Sequence, residues 1–170
     1  MKKILFAIIL IALGILFRTR WHLYPNVEFV TAATLLASVY LGRKWGILVP
    51  IVIMAISDSI IGNTNIFIFT WSAYILMGIF TKGKPWMKAI TASLFFFVWT
   101  NFGVWALDSF GMYSKDLNGL LRAYYMGLPF LRSNLVGNII FISTSFWVVE
   151  KLKNINFAGR AIILKRGEKA

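Results

Sequence analysis

The chain has 170 residues, of which 59% are hydrophobic and 14% are charged, with a mean hydropathy of +0.74. Soluble domains carry roughly 25% charged residues, so this composition indicates an integral membrane protein. With no cysteine and a single histidine, His22, disulfides, thiolate metal sites and multi-histidine metal sites are excluded, and no cofactor is expected. The net charge of +12 fits loops and a tail that meet anionic lipid better than it fits nucleic-acid binding.

Six apolar runs approach the length of about 20 residues that a membrane-spanning helix requires. In chain order they cover residues 4–17, 27–42, 45–62, 66–81, 88–107 and 135–152. The first run either ends at Phe17 or continues as a helix to Leu23. We therefore predict an all-α membrane protein, in which residues 1–153 form a bundle of six transmembrane helices and residues 154–170 form a basic cytoplasmic tail.

The distribution of basic residues predicts the orientation. With the N-terminus in the cytoplasm, 13 of the 18 lysines and arginines fall inside and 5 fall outside. The outer set is Arg18, Arg20, Lys115, Arg122 and Arg132. Because cytoplasmic loops are enriched in basic residues, we predict a protein of the cytoplasmic (inner) membrane with both termini in the cytoplasm.

The outer connection between the fifth and sixth runs, residues 108–134, is long and partly apolar. Apolar and aromatic residues recur in it at helical spacing: Leu117, Leu120, Leu121, Tyr124, Tyr125 and Leu128. This pattern predicts an additional amphipathic helix in the outer loop. Such a helix either lies on the lipid surface or covers the mouth of the bundle as a lid.

Polar and aromatic side chains inside the predicted spans are the candidate site, since ionisable groups within a membrane usually mark a function. In the predicted threading they fall toward the outer side, and they are Glu28, Asp58, Trp71, Trp99, Asn101, Trp105, Asn134 and Asn138. A few polar groups among flat aromatic walls are typical of a small-molecule site. The asparagines alternatively hydrogen-bond neighbouring helices, and Glu28 is alternatively solvated near the interface.

The carboxylates among these residues determine which charge we expect the solute to carry. A buried Asp58 must be protonated or find a partner, and Arg18, Arg20 or a cationic substrate could be that partner. If the arginines stay outside, the pocket has more acid than base. The sequence then favours a small organic solute that is cationic or bears an amine.

Several segments resemble a known family. They are the stretch 25–34, Pro-Asn-Val-Glu-Phe-Val-Thr-Ala-Ala-Thr; the turn 41–46, Leu-Gly-Arg-Lys-Trp-Gly; and the stretch 100–105, Thr-Asn-Phe-Gly-Val-Trp. These residues resemble an uncharacterised family of six-span membrane proteins that is similar to the substrate-binding (S) components of energy-coupling factor vitamin transporters. The resemblance implies an S-component-like bundle with an outward-facing, vitamin-sized site.

The resemblance also implies partners, namely a membrane-embedded coupling subunit and two cytoplasmic ATPases. The chain lacks a Gly-x-x-x-x-Gly-Lys-[Ser/Thr] loop, so we expect no ATP hydrolysis by this chain and no enzymatic activity. Two alternatives remain open. The chain could be a structural subunit of a membrane complex, or an intramembrane enzyme that uses Glu28 and Asp58 as an acid–base pair.

Overall fold

A computed structural model describes residues 2–21, 24–79, 83–107 and 111–167, with side chains at 3–21, 24–79, 83–107 and 111–154. The described residues form six helices and no strand. They are α1 (Lys2–Thr19), α2 (Val30–Leu41), α3 (Arg43–Ile61), α4 (Phe67–Met77), α5 (Pro85–Leu107) and α6 (Leu117–Gly167). A helix therefore forms in each of the six predicted runs, and the all-helical class is confirmed.

The helices differ in their ability to cross a membrane. Within the described part of the chain, three segments are long and apolar enough to do so: Arg43–Ile61, Pro85–Leu107 and Leu117–Asn154. Helices α2 and α4 have 12 and 11 residues. At 1.5 Å per residue they rise about 18 and 16 Å, less than the roughly 30 Å hydrocarbon core of a bilayer. The structure supports a helical membrane protein, and six complete spans remain a prediction.

The first helix ends between the two positions that the sequence allowed. Helix α1 stops at Thr19, and the backbone N–H groups of Arg20 and Trp21 both donate to the Leu16 carbonyl at 2.9 Å. These bonds cap the last turn. His22 and Leu23, the far end of the longer alternative, lie outside the described residues.

Helix α2 lies at the centre of the bundle and contacts α1, α3, α4 and α6. Residues 30–38 are buried without interruption, as expected for a helix that is apolar on every side. Gly42 then adopts a φ of 103°, which allows the chain to reverse directly into α3. The reversal is confined to Gly42, because α3 already begins at Arg43.

Small residues let three helices approach closely near that turn. A side chain at Gly46 of α3 would collide with Ser38 of α2 and with the backbone of Gly78, directly after α4. The Ser38 hydroxyl donates to the Gly78 carbonyl. Such contacts between small residues, supported by a hydroxyl bond, are a common way to hold helices together in a membrane.

The sixth helix corrects the prediction of a separate outer helix. The segment 117–128 is helical, but it is the first part of α6, which has 51 residues and contains Pro129. Proline removes one backbone donor, and the helix continues because breaking it would leave several polar backbone groups unpaired in apolar surroundings. The same continuity carries α6 across the predicted boundary between residues 153 and 154.

Candidate functional site

The first polar cluster forms where the end of α1 meets the end of α3. Arg18 Nη1 lies 2.7 Å from Oδ1 of Asp58 and donates to the Ser57 hydroxyl at 3.0 Å. The other carboxylate oxygen of Asp58 accepts from the indole N–H of Trp71 at 2.7 Å. Of the partners that the sequence allowed for Asp58, the structure therefore selects Arg18.

Glu28 joins the same cluster from the segment before α2. Its Oε2 lies 3.4 Å from Nε of Arg18, and its carboxylate accepts a hydrogen bond from the hydroxyl of buried Tyr74 of α4. One guanidinium thus serves two carboxylates. The described residues contain no group of three or more His, Cys, Asp or Glu placed to hold a metal ion.

A cavity of about 500 Å³ lies between α4, α5 and the first part of α6. Its wall consists of Asn26, Ile66, Thr70, Ser93, Phe96, Phe97, Thr100, Asn101, Val104, Met112, Tyr113, Ala123, Met126, Gly127, Phe130, Leu131 and Asn134. None of these residues carries a formal charge. Pockets for small organic molecules occupy about 300–1,000 Å³ and combine apolar walls with a few polar groups, as this one does.

Two of the eight predicted site residues line the cavity. Asn101 of α5 donates through Nδ2 to the Phe97 carbonyl at 2.8 Å, and its side chain lies against Gly127 of α6. Asn134 donates through Nδ2 to the Asn26 carbonyl at 3.2 Å. A side chain at Gly127 would collide with the Asn101 amide, so the glycine is required for this close approach.

Asn138 stands behind the cavity wall and supports it. Its Nδ2 donates to Oδ1 of Asn134 and to the Ser93 hydroxyl, both at 2.9 Å. Asn138 is 2% exposed and is absent from the cavity lining. It therefore fixes the orientation of two lining residues, which is the interhelical role that the sequence left open for it.

The three predicted tryptophans also lie outside the lining. Trp71 donates to Asp58, Trp99 donates to the Ser72 hydroxyl at 2.8 Å, and Trp105 donates to the Ser114 carbonyl at 2.9 Å. Each indole N–H is thus satisfied by the protein itself. The aromatic part of the wall is supplied instead by Phe96, Phe97, Tyr113 and Phe130.

The serine and threonine hydroxyl groups of the cavity, on Thr70, Ser93 and Thr100, were not predicted from the sequence. A signal for Ser93 and Thr100 was available on α5, where Ser93, Phe97, Thr100 and Val104 follow one another at intervals of four, three and four residues. That spacing places them on one helical face.

Comparison with known proteins identifies a family and nothing more specific. Residues 1–159 match the model of a family described as a family of unknown function, DUF6580. No curated protein and no solved structure matches the chain.

Proposed function

We propose that this chain, which belongs to the family of unknown function DUF6580, captures a small organic solute in the cavity between α4, α5 and α6. The observation that carries the proposal is the cavity itself, a space of about 500 Å³ lined by both aromatic rings and uncharged polar groups. That volume fits a molecule of vitamin size. The cavity is bordered by Asn26, Met112 and Tyr113 from loops, which offers a route from one side of the membrane.

In this proposal the chain is the substrate-binding subunit of an importer in the cytoplasmic membrane, with both termini inside. The resemblance to S components motivates this reading, as does the excess of basic residues at the opposite end of the bundle. A membrane-embedded coupling subunit and two ATPases would supply the energy. This chain would bind the solute and catalyse no reaction.

The proposed solute site depends on the cavity more than on the carboxylates. Glu28 and Asp58 both interact with Arg18, and neither lines the cavity. They are therefore poorly placed to act on a bound molecule as an acid–base pair. We assign the cluster to holding α1 against α3. A purely structural subunit would have no need for a cavity of this size.

Native mass spectrometry of the purified protein tests the proposal. Ala123 lines the cavity and is 1% exposed, so Ala123→Phe would fill part of the space. Val136, on the same helix, is 53% exposed and lies outside the lining, so Val136→Phe is a matched control. We expect a small molecule to copurify with the wild type and with Val136→Phe but not with Ala123→Phe. Equal retention by all three proteins would refute the cavity as the binding site.

A further inference from the structure

The electrostatics of the cavity restrict the charge of its ligand. No lining residue carries a formal charge, and the carboxylates of Glu28 and Asp58, which lie outside the lining, already share the Arg18 guanidinium. A charged ligand would lose its hydration on entry without gaining a counter-ion, which is strongly unfavourable in an apolar environment. An uncharged ligand avoids this cost.

The threonine hydroxyl groups of the cavity wall restrict the hydrogen bonds that a ligand can make. Thr100 donates its hydroxyl hydrogen to the Phe96 carbonyl at 2.7 Å, and Thr70 donates its own to the Phe67 carbonyl at 3.0 Å. A threonine hydroxyl has a single hydrogen but two lone pairs. Both residues line the cavity, so each of these wall hydroxyls, one on α5 and the other on α4, can only accept a further hydrogen bond.

The side-chain amide of Asn101 adds a further acceptor to those of the two threonines. Asn101 uses one Nδ2 hydrogen for the Phe97 carbonyl, which fixes the amide plane on the cavity wall beside Gly127. Its Oδ1, which lies against Gly127, is a third acceptor on a lining residue. The donors left on the α4–α5 side of the wall are one further Asn101 hydrogen and the Ser93 hydroxyl hydrogen. Acceptors therefore outnumber donors on that side.

We infer that the ligand is an uncharged ring compound that donates N–H or O–H hydrogen bonds toward Thr100 and Thr70 while its ring packs on Phe96, Phe97 and Phe130. This inference rests on the proposed function, since it names the chemical class of the molecule that the cavity would take. It replaces the cationic solute that the sequence favoured, because that preference required Glu28 and Asp58 to face the ligand.

A fragment library with equal numbers of neutral, cationic and anionic ring compounds tests the inference. Binding to the full chain in lipid nanodiscs is measured by saturation-transfer NMR, and cavity binders are those lost in Ala123→Phe but kept in Val136→Phe. We expect the cavity binders to be mainly neutral compounds with N–H or O–H donors. Cavity binders that are mainly charged would overturn the inference and leave the proposed function intact. A library without any cavity binder would overturn both.

A pair of threonine variants tests the donor direction on the strongest neutral fragment. Thr100→Val removes the acceptor with little change in shape, and we expect about three- to tenfold weaker binding. Thr91→Val on the same helix is the control. The Thr91 hydroxyl likewise donates to a carbonyl of its own helix, that of Met87, but Thr91 lies outside the cavity. Equal affinity of both variants would show that Thr100 does not accept from the ligand.

Discussion

Arg18 of α1 lies with its Nη1 atom 2.7 Å from the Asp58 carboxylate of α3, and the two side chains are only 14% and 6% exposed. A buried charge that keeps a partner is tolerated, whereas the same charge left alone is costly. The pair therefore fixes the end of α1 on the bundle, and Glu28 and Trp71 extend it to the start of α2 and to α4.

Asp58→Asn is expected to destabilise the bundle. The amide keeps the shape but leaves Arg18 with the more distant Glu28 as its remaining carboxylate partner. Loss of a charge-assisted hydrogen bond of this kind should lower the free energy of unfolding by about 1.5–3 kcal/mol. Thermal unfolding in detergent measures the effect, with Arg20→Gln at an exposed arginine as the control. If Asp58→Asn unfolds at the same temperature as the control, the ion pair contributes little to stability.

The direct role of Asp58 in solute binding stays a separate prediction. From the sequence we expect Asp58→Asn to weaken binding. From the structure, in which Asp58 lies outside the cavity lining, we expect any loss to be smaller than that caused by Thr100→Val. Calorimetry on the copurified solute compares the two variants. A larger loss for Asp58→Asn would move the site toward the carboxylates.

The topology is tested by single cysteines, since the natural chain has none. Asn63 lies between α3 and α4, at the cavity end of the bundle, and Lys84 directly precedes α5 at the opposite end. We expect a membrane-impermeant maleimide to label Asn63→Cys on intact cells and to label Lys84→Cys only after lysis. Ser114→Cys, near the start of α6, should behave like Asn63→Cys. Labelling of Asn63→Cys and Lys84→Cys from the same side would contradict the orientation.

The first part of α6 should respond to the solute. Ala123, Met126, Gly127 and Phe130 lie on the cavity wall. We therefore expect slower backbone hydrogen exchange in residues 117–130 at saturating solute, with little change in residues 140–154. Unchanged exchange in 117–130 would leave this segment with a structural role alone.

Tyr124 should control how firmly that segment is held. Its hydroxyl donates to the Val98 carbonyl at 3.1 Å, and its ring lies 5.7 Å from the ring of Phe97. Tyr124→Ala should loosen α6 from α5 and speed solute release, as stopped-flow measurements would record. Tyr125→Ala is the control, because Tyr125 is 72% exposed. Equal release rates for the two variants would rule out this role.

The beginning of α6 should depend on pH. Hydrogen bonds from the Gly119 backbone N–H and the Ser114 hydroxyl lower the pKa of Asp116. A carboxyl whose pKa is lower when folded stabilises the helix start above its unfolded pKa, and this contribution is lost as the pH falls through the folded pKa. In the acid range, circular dichroism should show a loss of helix that is smaller in Asp116→Asn, since asparagine caps without titrating. Identical acid profiles would exclude Asp116 as the titrating group.

The sequence predicted where helices form and that polar residues gather at one end, because hydropathy and charge control both features. It did not predict which polar groups face each other. Asn101 and Asn138 are both asparagines within predicted spans, and the sequence does not distinguish their roles. In the structure Asn101 lines the cavity, whereas Asn138 lies behind the wall and bonds to Asn134. Helix rotation decides this difference, and rotation depends on packing between helices distant in the chain.

Two further features required the structure for the same reason. The choice of Arg18 rather than Arg20 as the partner of Asp58 depends on where α1 ends. The continuity of α6 through Pro129 depends on its apolar surroundings, which a local proline rule does not include.

The most direct test of solute capture is an experimental structure of the wild-type protein together with the molecule that copurifies with it. We expect density for that molecule between α4, α5 and α6, in contact with Thr100 and Asn101. Density for the molecule at the Arg18–Asp58 pair or on the lipid-facing surface, with none in the cavity, would contradict solute capture in the cavity.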